Sequence, residues 1–391
     1  MTAPPLAPPV SASEAIALAD IIARITDGRP LRDDVRAQFC AHLAGEHFDN
    51  LVPLPGSLAQ DPGHSAACYL AVDALGDGEA SPLLLLIAPA AARPSVLFPN
   101  AFLIGCSRPG DGRELAVRAV PFSHLDHGPI RTFAGDVDTA FLPRPHGVQP
   151  VLTVASDEPA VALPAAMQAY RQVLRSCGHN VASVVSTGGD PDRLLDAALW
   201  SVIRAGWREG FSAGLRVPLA GGLQAAKQAI RRGQHYSRFI LSAGRGDFEE
   251  LDICVQLHAF ITEIKSGHRP WKHFDMELSL TGSGVSAPDD VAFCLEWLKR
   301  HGCPAQSVAP DLAGIFKVPE LESCVSDLAE AVLPFNATLT IHQRAYHSPA
   351  SIERIVRAAS GRLNYEMILR AGMDPREIIE TIEDIAACLR G

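Results

Sequence analysis

The fold is decided by a 36-residue stretch from Met276 to Asp311, MELSLTGSGVSAPDDVAFCLEWLKRHGCPAQSVAPD. It contains a short strand-like run from Met276 to Leu280 and another from Ser307 to Asp311. An amphipathic stretch lies between them, and we predict that Ser286 caps its helix and that Gly302 ends it. A strand, a helix and a further strand at this spacing are typical of a βα repeat with parallel strands.

The same alternation recurs through the second part of the chain. The eight strand candidates are Val151 to Ser156, Val181 to Thr187, Ala213 to Leu219, Arg238 to Ser242, Met276 to Leu280, Ser307 to Asp311, Leu339 to His342 and Asn364 to Leu369. Eight units in about 240 residues match a (β/α)₈ barrel, or TIM barrel, whose strands are buried on both faces and therefore look continuously apolar. A doubly wound open sheet is the alternative.

The first 149 residues follow a different pattern. Residues 12–48 have the periodicity of helices. Four antiparallel strands are predicted after them, at Ala67 to Ala74, Pro82 to Pro89, Ser95 to Cys106 and Glu114 to Pro121. We therefore predict an α+β segment over residues 1–149 that packs on a barrel formed by residues 150–391.

Composition excludes several classes of partner. Lys and Arg total 34 against 44 Asp and Glu, which gives a net charge of -10 without any basic cluster, so nucleic acids and anionic membranes are not expected. The longest apolar run, Pro82 to Ala92, is too short to cross a bilayer. Nine scattered cysteines and no secretory signal predict a cytoplasmic protein with reduced thiols. We expect a small-molecule ligand and allow for a homo-oligomer.

Four polar residues occur in or at the ends of the later strand candidates, where barrel enzymes carry their chemistry: Glu277, Asp311, His342 and Glu366. Carboxylates with one imidazole suit a divalent cation such as Mn²⁺ or Co²⁺, which could hold a keto-sugar and stabilise an enediolate. Glu277 and Asp311 are also the candidate catalytic acids and bases. The alternative is structural: an ion pair inside the barrel for Glu277, a helix cap for Asp311 and an outward-facing side chain for Glu366.

Further candidates lie in loops and helices. Arg344, Tyr346 and His347 follow His342 closely and could bind a substrate carboxylate. Lys317 is the basis of another hypothesis, a metal-free lyase or aldolase that forms a Schiff base.

Two parts of the chain resemble the tagaturonate/fructuronate epimerase family. One runs from Asp192 through Trp200 and Ala205 to Ala213. The other comprises Met276 to Ser279, Leu298 to Gly302, Ser307 to Pro310 and Leu339 to His342. The similarity covers most of residues 190–370. It implies a metal-dependent (β/α)₈ enzyme that interconverts two keto-hexuronates by moving a proton and inverting one carbon.

The resemblance also implies roles for single residues. His342 would be a metal ligand, and Glu277 a ligand or proton-transfer base, with Ni²⁺ and Zn²⁺ as further candidate ions. Where the family carries acids or a lysine after its third and fourth strands, this chain has Gly214 to Leu219 and Ser242. The predicted function is therefore a sugar-acid (keto-hexuronate) epimerase or isomerase that uses metal-assisted proton transfer. The alternative is a diverged barrel that binds a sugar acid or a partner without this reaction.

Overall fold

The computed structural model describes residues 11–26, 31–60, 67–73, 81–93, 95–110, 112–121, 128–148, 151–156, 165–169, 182–186, 190–219, 221–267, 271–282, 284–343, 348–360, 362–369 and 373–389. The chain divides into two compact units, Met1–Phe141 with Val202–Arg208, and Leu142–Ser201 with Glu209–Gly391. No helix within the described ranges is both long enough and apolar enough to cross a membrane.

The first unit contains an antiparallel sheet and helices. Its strands are β1 (Leu51–Pro53), β2 (Ala59–Gln60), β3 (Ala67–Asp73), β4 (Ser81–Pro89), β5 (Phe102–Ser107) and β6 (Leu115–Pro121), in the order β1-β3-β4-β6-β5 with β2 beside β3. Its helices are α1 (Ala12–Thr26), α2 (Asp33–Leu43) and α3 (Gly128–Thr132), followed by a π-helical turn at Phe133–Val137 and short 3₁₀ turns at Pro55–Ser57 and Thr139–Phe141. The α+β architecture predicted for this segment is confirmed.

The core of the first unit forms where the apolar stripes of α1 and α2 meet one face of the sheet. Leu18 and Ile22 of α1 and Phe39 of α2 belong to one buried cluster with Tyr69 and Val117 of the sheet. Alternate residues of β3, β4 and β6 enter this cluster, as expected for strands whose side chains alternate between faces.

The second unit is a closed barrel of eight parallel strands. These are β7 (Val151–Ser156), β8 (Ala182–Ser186), β9 (Phe211–Val217), β10 (Arg238–Gly244), β11 (Asp275–Thr281), β12 (Ser307–Ala309), β13 (Thr338–His342) and β14 (Leu363–Leu369). Strand β14 pairs with β7, which closes the ring. The predicted (β/α)₈ barrel is confirmed, and the alternative of an open sheet is wrong.

Helices alternate with the barrel strands. They are α4 (Pro191–Arg204, whose last residues belong to the first unit), α5 (Gly222–Arg232), α6 (Phe248–Ser266), α7 (Pro288–Arg300), α8 (Val318–Val332, continued by a 3₁₀ turn at Leu333–Phe335), α9 (Pro349–Ala358) and α10 (Pro375–Leu389). Residues 165–169, between β7 and β8, are also helical.

Three local predictions differ from the structure. The strand predicted from Ser95 begins only at Phe102, because Pro99 and Asn100 favour a turn before it. Strand β12 ends at Ala309 because the following Pro310 has no N–H for the ladder. Ser286 does not cap α7: Ala287 is the N-cap residue, without a side-chain cap bond. The hydroxyl of Ser286 instead accepts a hydrogen bond from the backbone of Asp311 at 2.8 Å.

The barrel strands are apolar on the face that meets the helices and mostly polar on the inner face. On β10, the buried Phe239 and Leu241 alternate with Arg238 and Ile240. Inner positions of the other strands carry Ser212, Glu277, Ser307, Thr338, Thr340, Asn364 and Glu366, all buried and polar. An apolar inner cluster of Ala155, Val185 and Ile240 remains. The expectation of continuously apolar strands therefore holds only for the outer face.

His146 reaches this interior from the chain that precedes β7. Its Nδ1 lies 3.3 Å from the Ser212 hydroxyl, and its Nε2 lies 3.3 Å from Nδ2 of Asn364. Both partners lie near the amino ends of their strands, so His146 is at the end of the barrel opposite the usual catalytic face. Burial, together with the nearby charge of Arg238, lowers the pKa of His146 from 6.5 to about 3.

This neutral histidine predicts acid sensitivity. Between about pH 6.5 and pH 3, His146 is protonated in the unfolded chain and neutral in the folded chain. The free energy of unfolding therefore falls as the pH drops from 6.5 toward 3. At about pH 5 the loss attributable to His146 is about 2 kcal/mol relative to neutral pH. Urea unfolding of the wild-type protein and of His146→Gln, each at about pH 5 and at neutral pH, measures this loss of stability. Equal pH dependence in the two proteins would contradict the assignment.

Candidate active site

Parallel strands bring their carboxyl ends to one end of the barrel, and three ionisable side chains meet there. His342 is the last residue of β13 and is paired in register with Glu366 of β14. Arg216 is the next-to-last residue of β9. Because parallel strands point in one direction, these residues lie toward the end of the barrel that carries catalysis in enzymes of this fold.

The centre of this group is the carboxylate of Glu366. Its Oε1 lies 3.0 Å from Nδ1 of His342 and also accepts a hydrogen bond from Nη2 of Arg216. Burial would raise the pKa of Glu366, but the hydrogen bond and charge of His342 and the charges of Arg216 and Arg238 lower it to about 2. Glu366 is therefore ionised. The side chains of His342 and Arg216 are 25% and 31% exposed, whereas that of Glu366 is 1% exposed.

The pairing with Glu366 fixes the chemistry of His342. An ionised carboxylate can only accept, so Nδ1 of His342 carries a hydrogen and donates a hydrogen bond to Glu366. Whenever Nε2 is unprotonated, its lone pair can take a proton from a substrate. A histidine oriented by a buried carboxylate in this way is suited to act as a general base.

Glu277 lies deeper in the barrel and is fully buried. Its Oε2 accepts hydrogen bonds of 2.9 Å from both the Ser307 and the Thr340 hydroxyls and lies 3.5 Å from Nη1 of Arg238. Its carboxylate therefore has an inner partner on each of three strands. This is the ion pair inside the barrel that the sequence allowed as a structural alternative.

Asp311 follows β12 in a loop and is half-buried. Its Oδ1 accepts a hydrogen bond from the N–H of Ala313 at 3.0 Å, which shapes the local turn. Its backbone exchanges hydrogen bonds with Ser286 in both directions, through the Ser286 hydroxyl and N–H. This geometry stabilises the loop at the barrel mouth.

The other candidate residues, the predicted substrate-binding residues and the lysines, are not part of the group around Glu366. Arg344, Tyr346 and His347 lie outside the described residues. Lys317 is exposed and pairs with Glu320 at 3.1 Å. The buried Lys265, late in α6, donates to the backbone carbonyls of Tyr236 and Trp271, and burial lowers its pKa to about 7.

The predicted metal ligands do not assemble into a cation site. Within the described ranges, no three His, Cys, Asp or Glu side chains form a group that could hold a metal. Glu277 and Glu366 each face a guanidinium group, and Nδ1 of His342 is used by Glu366. Oε1 of Glu277 and Oε2 of Glu366 have no hydrogen-bond partner among the described residues, but a divalent cation bound to them would lie beside two positive side chains. The donor set formed by Glu277, Asp311, His342 and Glu366 therefore does not fit such an ion.

Sequence reasoning missed the two arginines and His146. Arg216 and Arg238 are charged residues inside strand candidates, which is an unusual place for a full charge. That signal could have identified both arginines as partners of buried acids. His146 lies before the first barrel strand, and no pattern in the sequence marks it.

A closed ring of eight parallel strands surrounded by helices defines this unit as a (β/α)₈ barrel, with a histidine-carboxylate pair at its carboxyl end. Three crystal structures of the fructuronate-tagaturonate epimerase UxaE from Cohnella laeviribosi are similar to the chain. The complex with one glycerol has 13% sequence identity, covers 92% of this chain and 90% of its own, and has a TM-score of 0.53. The complex with two glycerols has 15% identity, coverages of 85% and 74%, and a TM-score of 0.53.

The native structure of the same epimerase has 13% identity, coverages of 91% and 89%, and a TM-score of 0.53. No protein-family model and no curated protein matches the chain. At this identity the similarity shows a shared fold. The resemblance seen in the sequence is therefore confirmed for the fold, and the activity has to be argued from the site.

Proposed function

We propose that this protein is an isomerase or epimerase of a keto-hexuronate or a closely related sugar acid, and that it acts by proton transfer. The observation that carries the proposal is the contact between His342 and Glu366 beside Arg216. The fold shared with an epimerase of two hexuronates supports the choice of substrate class.

His342 is the proton-transfer residue in this proposal. Its Nε2 removes a proton from the carbon next to the substrate carbonyl, and an enediolate forms as that C–H bond breaks. Glu366 orients the ring and stabilises the imidazolium that results. Epimerisation also requires a proton to return to the opposite face of the carbon. Asp311, in the loop that follows β12, is the candidate for that second transfer.

Arg216 provides the positive charge that a substrate carboxylate requires. Its guanidinium contacts Glu366 through Nη2, and the side chain remains partly exposed. A guanidinium has five donor hydrogens, so it can bind a second carboxylate while it holds the first. Arg344, Tyr346 and His347 are proposed as further contacts because they follow His342 by two to five residues.

Glu277 has a positioning role in this proposal because its carboxylate is fully buried. It cannot reach a substrate at the barrel mouth without breaking its bonds to Ser307 and Thr340. The metal-assisted step predicted from the sequence is not part of the mechanism, because both buried glutamates are already held by positive side chains.

The direct test is incubation of the wild-type protein with fructuronate or tagaturonate in D₂O. We expect each acid to be converted to its epimer at the carbon next to the carbonyl, with deuterium entering at that carbon, as followed by ¹H NMR. Because a proton-transfer mechanism exchanges the abstracted hydrogen with solvent, conversion without any deuterium uptake would contradict it. A variant at the opposite end of the barrel, His273→Gln, is the matched control because His273 is exposed there.

The second candidate is a barrel that binds a sugar acid without turning it over. The complete burial of Glu277, one of the two predicted catalytic acids, favours it. Saturable binding of either acid, seen as a rise in Tm that is lost in Arg216→Met, without deuterium uptake over many hours, would support this candidate and exclude the isomerase.

A further inference from the structure

The barrel interior contains more acids than a protein core normally tolerates. Glu277 and Asp275 of β11 and Glu366 of β14 are all buried, and β12 and β13 lie between these two strands. Burying a carboxylate is unfavourable unless a positive charge or hydrogen bonds compensate for it. The interior must therefore contain a matching positive charge.

Arg238 is the deepest positive charge in the described part of the barrel. Its side chain is 0% exposed, and Nη1 lies 3.5 Å from Oε2 of Glu277. It is also near enough to act electrostatically on Asp275 and Glu366. Within the described residues, Nε, Nη1 and Nη2 have no hydrogen-bond partner. The group is therefore held in place mainly by the surrounding carboxylates.

The neighbouring strand leaves room for this guanidinium. Gly214 of β9 pairs in register with Arg238. A Cβ atom at Gly214 would lie 3.0 Å from Nε and 3.1 Å from Nη2 of Arg238. These distances are too short for an ordinary side chain, so glycine at this position admits the arginine.

We infer that Arg238, assisted by Arg216, takes the electrostatic place of a divalent cation among the buried acids, so that the protein folds and functions without bound divalent metal. Each guanidinium faces one carboxylate oxygen: Nη1 of Arg238 lies near Oε2 of Glu277, and Arg216 donates to Oε1 of Glu366. The two guanidinium groups would also repel a second cation placed within a few ångströms in a medium of low dielectric constant. This inference concerns charge balance and does not depend on the identity of the substrate.

The test is a titration of the full-length, chelator-treated protein with Mn²⁺. A cation that binds the folded protein, at a free concentration one hundred times its Kd, would raise the Tm by roughly 5 °C. For the wild-type protein we expect a change below about 1 °C, with no saturable loss of the electron paramagnetic resonance signal of free Mn²⁺. Neither readout requires catalytic activity, so failure of the inference is distinguishable from failure of the proposed function.

Variants make the test decisive. Arg238→Met is expected to lower the Tm strongly. Arg216→Met should fold because Arg216 is partly exposed, and it leaves Glu366 without this guanidinium. We expect Arg216→Met to bind Mn²⁺ at least about ten-fold more tightly than the wild-type protein. The control is Arg232→Met, whose partner Asp190 lies at the surface.

One result would overturn the inference: saturable binding of Mn²⁺ to the wild-type protein that Glu277→Gln or Glu366→Gln abolishes. Wild-type binding that both substitutions leave intact would place the ion outside the barrel interior and support the inference. An Arg216→Met variant that folds but gains no affinity for Mn²⁺ would overturn the assignment to Arg216.

Discussion

Replacement of His342 by glutamine is expected to reduce the rate of deuterium incorporation into a keto-hexuronate by about 10²–10⁴-fold. Glutamine keeps much of the side-chain volume and can still bond to Glu366, but it has no basic nitrogen to take the proton. Because His342 is partly exposed, the fold should be unaffected and the Tm should change by no more than a few degrees. The initial rate of C–H exchange under saturating substrate measures the loss.

Two further variants separate a catalytic role from a structural one. Glu366→Gln removes the charge that orients His342, so exchange should fall by a smaller factor, about 10–100-fold. The exposed His273 serves as the control, and His273→Gln should exchange at the wild-type rate. If His342→Gln retained wild-type exchange, a different base would have to be sought.

Much of the fold is predictable because each βα repeat has its own local pattern of apolar and polar residues in the sequence. Each strand candidate of the second unit corresponds to a strand of the barrel, and the helices between them lie where the amphipathic stretches predict. The errors in the predicted strands occur at the strand ends. β12 is shorter than predicted because Pro310 stops the ladder, and β5 starts late because a Pro-Asn turn precedes it. Strand ends depend on pairing with neighbours, which the sequence of one strand does not contain.

The site was predictable only in part. The sequence predicts His342 at the end of one strand and Glu366 within the next, and their contact follows from the register of β13 against β14. The contact between Arg238 and Glu277 is diagonal, because Arg238 pairs with Asp275 while Glu277 pairs with Ile240. A one-residue change of register would have pointed these side chains at the helices. The pairing of acids with arginines is thus a property of the closed barrel.

Glu277 is where the two interpretations of the sequence differ most in their consequences. As a catalytic base, it could be replaced by alanine with loss of activity and little loss of stability. As the partner of Arg238, its removal leaves a fully buried guanidinium without its nearest carboxylate and leaves two hydroxyls without an acceptor. Breaking a buried ion pair by removing one partner typically costs about 3–5 kcal/mol.

We therefore expect Glu277→Ala to lower the free energy of unfolding by about 3–5 kcal/mol and the Tm by roughly 10 °C. Urea and thermal unfolding measure both. The double variant Glu277→Gln/Arg238→Met removes both charges and so leaves no unpaired partner of this pair. Its loss of stability should therefore be smaller than the sum of the losses in the two single variants. Additive losses would mean that the pair is not coupled. A fully stable Glu277→Ala that has lost only deuterium exchange would instead make Glu277 a catalytic residue, and the carboxylate would then have to become accessible in a conformation with a different arrangement around Arg238.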